Sequence, residues 1–255
     1  MSASDDSLQV LPRPLRGRLR SLRSVQLDGS SEYQLLMHFQ QITKDSVFDA
    51  VIVANGDYPT AQIPCAIVSR AHYLCCCDMA GITVLGHGLM PQAIIGDGDS
   101  MPRAYLPAIE DIFHQIDEQD DNDLTKATRF VMKQGMKRIA YIGATGKRED
   151  HTLGNIALMV TYYRDFGLQP TMITDYGWFV VTEGNASFDT FPGQHVSIFN
   201  VSCHLLQSEG LKWPLYPFKE LWQGTLNEAE GQRIDIKADG IFTAYFTFEA
   251  KREKI

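Results

Sequence analysis

FDAVIVANG, residues 48–56, is a short apolar, β-branched run halted by Asn55-Gly56, the pattern of a buried strand entering a tight loop. The design recurs. Residues 73–77, 92–95 and 138–142 are further apolar strands, each followed by Asp or Gly. Between the last two, Asn122 or Asp123 opens a helix with Leu124, Ala127 and Val131 at helical spacing, and Gly135 stops it. Strands alternating with helices predict a parallel sheet whose loops gather at the carboxyl ends of the strands.

After Gly143 comes a glycine-rich loop, then a helix over residues 151–166 with Leu153, Ile156, Ala157, Val160 and Tyr163 as its apolar stripe, ended by Gly167 and Pro170. From Thr171 the texture changes to short strands and turns. Residues 233–237 (RIDIK) alternate charge with isoleucine, Asp239-Gly240 signals a hairpin, and residues 241–248 are aromatic and β-branched. The expected fold is therefore an α/β N-terminal domain with a mainly parallel sheet (residues 31–168) followed by an all-β antiparallel sandwich domain (residues 171–255). Arg13, Arg16, Arg18, Arg20 and Arg23, interrupted by Pro12, Pro14 and Gly17, make residues 1–30 a basic extension expected to be disordered.

Hydrophobic residues at 44% and charged residues at 21% allow a packed core without disulfides or metals. A net charge of -8 excludes a general affinity for nucleic acid phosphates, which needs a broad basic surface. The five cysteines, three of them adjacent at Cys75, Cys76 and Cys77, fit no disulfide framework or zinc spacing, so a reducing, cytoplasmic setting is expected. No apolar run approaches the ~20 residues that cross a bilayer, and the basic start carries no apolar h-region of the kind a secretory signal has, so export by that route is not expected.

Three segments could carry chemistry. In residues 93–102 (AIIGDGDSMP), Asp97 and Asp99 lie two apart just past a strand; extended backbone would point both carboxylates the same way and let them share a magnesium ion, although Asp-Gly-Asp is also an ordinary turn. Residues 118–126 (EQDDNDLTK) set Asp120, Asp121 and Asp123 before a helix, with Lys126 one turn inside. These acids are either caps or a second group converging on Asp97 and Asp99. In residues 143–151 (GATGKREDH), small residues join a strand to a helix and are followed by Lys147 and Arg148. Such a loop can bring backbone amides and a guanidinium to phosphate oxygens, though it matches neither a P-loop nor a dinucleotide fingerprint.

Together these segments resemble the thiamine pyrophosphokinase family. The matching pieces are VIVANGDYP at 51–59, CCDMAG at 76–81, GDGDS at 96–100, EQDDNDLTKA at 118–127, GATGKREDHTLGN at 143–155, HVSIFN at 195–200, EGLKWPL at 209–215 and GTLNE at 224–228. The resemblance implies transfer of diphosphate from ATP to the thiamine hydroxyl, giving thiamine diphosphate and AMP, in a homodimer whose active sites lie between subunits. It implies Asp97, Asp99 and Asp123 as magnesium ligands. Gln119, Asp123, Thr225 and Asn227 fall at thiamine, and Asn55, Asp78, Thr145, Arg148 and Asp150 in or beside the ATP pocket, with Arg148 and Lys126 offsetting charge during transfer. The sequence departs from the family at Met79, often glycine; at Gly98, often phenylalanine; and at Leu226, commonly serine.

Competing expectations are a catalytically silent sensor of nucleotide or thiamine diphosphate, and a pyrophosphokinase for another alcohol such as a pterin. His151 reads as a helix-entry residue ahead of a general base, Cys75 to Cys77 as packing, and Trp213 and Trp222 as core or dimer packing ahead of flanking thiamine.

Overall fold

The computed structural model describes residues 37–250 apart from Ser100, Arg103 and Gln119, so the basic extension at 1–30 lies outside the described residues. The strands expected around FDAVIVANG form: β2 (Ala50–Val53), β3 (Leu74–Cys77), β4 (Ala93–Gly96) and β6 (Arg138–Ile142) are all parallel, with β5 (Phe113–Gln115) beside β4 and β7 (Gln169–Ile173) beside β6. Their side chains alternate between two cores. Val51 and Val53 face one, together with Val68 of helix α1 (Gln62–Ser69) and Val84 of α2 (Ala80–Gly86). Ala50 and Ile52 face the other, with Leu124 and Val131 of α4 (Asp123–Lys133) and Met159 and Tyr162 of α5 (Glu149–Arg164). Burial on both faces explains why these strands read as unbroken apolar runs. A single turn, α3 (Leu106–Ile109), precedes β5.

Beyond β7 the sheet continues without a break but turns antiparallel. The strands β8 (Gly177–Glu183), β14 (Ile241–Ala250), β10 (Gln194–Asn200) and β12 (Asn227–Glu228) extend it to ten strands in the order β12-β10-β14-β8-β7-β6-β2-β3-β4-β5. A four-stranded sheet, β1 (Met37–Phe39), β9 (Ala186–Asp189), β13 (Arg233–Ala238) and β11 (Leu206–Glu209), packs on this antiparallel part. Phe188 and Ile234 of the small sheet share a core with Ile198 and Phe246 of the large one, the Phe188 and Phe246 rings lying 5.1 Å apart. The chain is thus an α/β N-terminal half on a mainly parallel sheet followed by an antiparallel β half. Strand β1, early in the chain, joins the later half by pairing parallel to β9.

Two expectations need correction. Asp239-Gly240 makes a turn but no hairpin: β13 and β14 belong to different sheets. Asp239 Oδ1 instead accepts the amides of His204 and Leu205, both at 2.8 Å, and the apolar faces of the two strands meet across the sandwich core. In α5 the fully buried residues are Met159 and Tyr162, while Leu153 is 64% exposed. That helix is apolar on nearly every side, so contacts decide its orientation. Tyr162 Oη bonds Thr125 Oγ1 at 2.8 Å, and its ring stacks on Tyr141.

All five cysteines are free thiols, and burial pushes Cys75, Cys76 and Cys77 well above the usual thiol range, as expected of packing residues. Among the described residues no helix is long and apolar enough to cross a membrane.

Candidate active site

From β2 the chain winds to β3, β4 and β5 on one side, then returns to lay β6 on the other side of β2. Such a reversal of strand order leaves a crevice outside the carboxyl ends of the two strands. The loops that follow β2 and β6 meet there by backbone hydrogen bonds: the amides of Ala54, Gly56 and Asp57 donate to the carbonyls of Ile142, Gly143 and Thr145 at 2.8, 2.7 and 2.9 Å. A Cβ on Gly56 would strike the Gly143 and Thr145 carbonyl oxygens, and Gly143 itself has φ +66°, so glycine is required on both sides of this seam.

Above the seam lies a cleft of about 750 Å3 lined by Asn55, Asp123, Lys147, Arg148 and Asp150, along with small residues of α5. Lys147 Nζ donates to the carbonyl and side-chain oxygens of Asn55 at 2.9 and 3.2 Å. Arg148, at the N-cap of α5, forms a fork to Asp150 with Nε at 3.0 Å and Nη2 at 2.5 Å. The Arg148 hydrogen bond holds the Asp150 carboxyl below its usual range, and Asp150 Oδ1 also accepts the His151 amide. The guanidinium, though exposed, is thereby oriented beside a helix N-terminus, where anions are favoured. Thr145 turns to the opposite side of the seam, into a cleft of about 360 Å3 with Tyr58, Asp175 and Tyr245.

The acidic run before α4 divides its labour. Asn122 caps the helix, its Oδ1 accepting the Thr125 amide at 2.9 Å; Asp121 pairs with Arg129 at 2.5 Å; and Asp123 faces the cleft. Lys126 Nζ lies 3.4 Å from Asp123 Oδ1 on a side chain only 3% exposed. Burial raises the Asp123 carboxyl above its usual range; Lys126 opposes this, and the charges of Asp78 and Asp97 add to it. Asp78, 6% exposed with φ +45°, packs at the end of β3, where a Cβ on Gly96 would lie 3.2 Å from its Oδ1. The charges of Asp78 and Asp97 therefore both bear on Asp123 at the rim of the sheet.

Asp99 stands apart. Residues 97–99 do not continue β4: Gly98 has φ +81° and Asp97 Oδ1 accepts the Asp99 amide at 3.0 Å, a side-chain turn that replaces the extended geometry expected from the spacing and leaves Asp99 exposed. The space beside Gly98 is taken by the Phe113 ring, whose Cζ is 3.3 Å from where a Cβ would be. Among the described residues no three His, Cys, Asp or Glu side chains form a ready metal-binding group. The donor chemistry nonetheless suits magnesium, which takes one or two carboxylates and completes its shell with water and phosphate oxygens. A cation would also relieve the repulsion that Asp78 and Asp97 exert on Asp123.

Gln119 lies outside the described residues. Thr225 and Asn227 belong to the other half. Asn227 Oδ1 accepts the Trp213 amide at 3.1 Å and its Nδ2 donates to the Trp213 carbonyl at 2.7 Å, so its amide holds the 213 loop, while Thr225 Oγ1 bonds the Trp222 carbonyl. Four strands, β10, β14, β8 and β7, separate β12 from β6, roughly 24 Å of sheet at ~4.8 Å per strand. One chain thus does not bring Thr225 and Asn227 to the Asp123 cleft. Around them Trp213, Trp222 and Leu226 are exposed, at 52%, 72% and 74%, which rules out core packing for the two tryptophans. Leu226 holds φ +63°.

Two cleft residues had no assigned role from the sequence. Lys147 was visible as a cation but not as the clamp on Asn55. Asn155, whose Nδ2 donates to the Ala144 carbonyl at 2.8 Å and whose Oδ1 accepts from Asn122, links α5 to the seam and to α4 without any local signal.

Residues 65–169 match the family described as "Thiamin pyrophosphokinase, catalytic domain", and residues 177–245 match "Thiamin pyrophosphokinase, substrate-binding domain". The curated thiamine pyrophosphokinase of Bacillus subtilis (strain 168) is 33% identical over 86 residues, a stretch covering 32% of this chain and 40% of that relative. Crystallised thiamine pyrophosphokinase from B. subtilis superposes with a TM-score of 0.65 at 20% identity, over 78% of this chain and 98% of that one. The thiamin pyrophosphokinase of Candida albicans gives 0.70 at 15% identity, over 88% and 96%. These superpositions establish likeness of fold, and the two family matches fall in order on the two halves described above. The chain belongs to the thiamin pyrophosphokinase family.

Proposed function

We propose that the chain is an ATP-dependent thiamine diphosphokinase, moving diphosphate from ATP to the primary hydroxyl of thiamine and releasing AMP. The observation that carries this reading is the cleft at the strand reversal, in which a phosphate-compatible loop and helix N-terminus face Asp123, a carboxylate that also feels the charge of Asp97. In this reading Asp97, Asp99 and Asp123 hold magnesium. Bound there, the ion supplies charge neutralisation for the polyphosphate.

The chain's own residues do the rest. Arg148, held in orientation by Asp150, meets the phosphate chain at the N-terminus of α5, beside the seam that Gly56 and Gly143 allow to close. Lys126, buried beside Asp123, fixes that carboxylate and offsets charge as the diphosphate moves. Asp123, facing the cleft beside Lys126, is the carboxylate placed to receive the alcohol proton. Asn55 and Asp150 line the nucleotide site, Asp78 stands at the sheet rim beside it, and the Thr145 carbonyl braces the seam from the opposite side. Thiamine is met by Gln119 and by Thr225 and Asn227 of a second subunit, because the width of sheet inside one chain keeps the latter pair from Asp123. Asn227 acts there by fixing the Trp213 loop. The exposed Trp213 and Trp222 suit contact with that partner. A homodimer in the cytoplasm, independent of nucleic acid and membrane, accords with the net charge of -8 and the five unpaired thiols.

Incubating the pure protein with thiamine, ATP and magnesium and separating the nucleotides tests this. Thiamine diphosphate with stoichiometric AMP is expected. ADP as the product, or transfer to a pterin in preference to thiamine, would sink it.

A further inference from the structure

Helix α1 starts after Ala61, and no side chain from its own end caps its first amides. An isolated helix end of this kind frays, because its first N–H groups lack acceptors. Here the two residues that lead into the helix, Thr60 and Ala61, are held instead by an acceptor from far along the chain. Asp175, in the turn between β7 and β8, takes the Thr60 amide at 3.0 Å with each carboxylate oxygen, the Thr60 hydroxyl at 2.6 Å and the Ala61 amide at 3.1 Å. Burial by itself raises this carboxyl's proton affinity, yet the Thr60 hydroxyl and the Ala61 and Thr60 amides outweigh it and hold the group below its usual range, so the cap is an anion.

The segment capped in this way is the same loop that forms the nucleotide seam. Its first part is tied to the Ile142, Gly143 and Thr145 carbonyls, and Asn55 within it receives Lys147. Its last part is tied only to Asp175 among the side-chain bonds described for Thr60 and Ala61. Residues 54–61 are therefore stretched between the glycine loop of the first half and the turn that opens the second.

We infer that Asp175 is a positioning residue for ATP: by binding Thr60 and Ala61 just ahead of α1 across the two halves it holds loop 54–61, and through it loop 143–147, in the shape that grips the phosphate chain. It touches no substrate. This inference rests on the nucleotide reading of the cleft given above.

The test compares full-length wild type with Asp175→Ala, Asp175→Asn and Thr60→Ala, measuring ATP affinity by calorimetric titration, steady-state kinetics for both substrates, and amide exchange in residues 55–61 and 143–147. Asp175→Ala is expected to weaken ATP binding about ten-fold, to speed exchange in both segments, and to leave thiamine KM and kcat at saturating ATP within about two-fold. Asp175→Asn, which keeps an acceptor oxygen, should recover most of the loss. Unchanged ATP affinity alongside a lowered melting temperature would show a purely structural cap and overturn the inference, as would equal losses for ATP and thiamine. Should Asp175→Ala not fold, Thr60→Ala, which removes only the hydroxyl bond, decides in the same way: a rise confined to the ATP KM supports the inference, and none refutes it. A wild-type protein that binds ATP but makes no thiamine diphosphate would defeat the proposed activity, while the ATP titrations would still decide the role of Asp175.

Discussion

A half-buried carboxylate and a buried ammonium side by side, as Asp123 and Lys126 are, constrain each other more than either constrains the fold. Removing one leaves the other charged in a half-dry cleft, and removing a neighbouring carboxylate changes what a cation would see. Asp99→Asn conserves shape and deletes only a charge on an exposed turn, so circular dichroism should be unchanged while transfer falls by about 10²–10³-fold. Retention of full activity would remove Asp99 from the metal set. Gly146→Ala addresses the loop instead. At φ +81°, and with a Cβ directed into the Asp57 carboxylate, alanine should destabilise the chain by about 1–3 kcal/mol and raise the ATP KM; thermal melts and kinetics read both. At this scale the sequence revealed residue types and missed local geometry. Asp97 and Asp99 were legible as paired acids, but the two-residue spacing suggests a shared direction only for extended backbone, and Gly98 breaks that condition.

Helix α4 carries its boundaries in its sequence: a side-chain cap at Asn122, an apolar period in Leu124, Ala127 and Val131, and Gly135 at φ +86° just beyond its end. Asn122→Ala should cost about 1 kcal/mol in chemical denaturation, and Asn122→Asp should restore most of it. An unaltered midpoint for the alanine variant would mean that tertiary contacts alone hold this helix start. The strands β2, β3, β4 and β6 were equally legible, since burial on both faces writes an uninterrupted apolar run, whereas the exposed edge strand β5 carries no such run. Other elements were not. The face α5 buries could not be read from a helix apolar on most sides. Asp239-Gly240 encodes a turn but not which sheet the next strand enters. The anchor that Asp175 gives the residues leading into α1 has no local pattern at all, because its donor and acceptor are more than a hundred residues apart in sequence.

At the scale of the molecule, several acids join distant segments. Asp49 accepts the amides of Arg138 and Lys137, both at 2.9 Å, which hold its carboxyl below the usual range; Asp175 bridges the two halves as described; and Asp239, held down mainly by the Leu205 amide, ties the sandwich turn. Each carboxyl has a folded-state pKa below its unfolded value, so its contribution is present above the unfolded value near 3.8 and is lost as pH falls through the lower folded one. Urea midpoints should therefore decline steeply below about pH 4, and Asp49→Asn should flatten that decline while lowering the plateau; an acid limb unchanged by the substitution would exclude Asp49 as a source. The unbroken ten-stranded sheet has a further bearing on how the protein can be divided. A cut at residue 168, between the two halves, would strip β6 of its β7 neighbour and leave a naked row of amides and carbonyls along a flat apolar strand. Such a fragment invites mispairing with its own copies, so an evolutionary or engineered exchange of one half for another must carry β7 and β8 across with the junction.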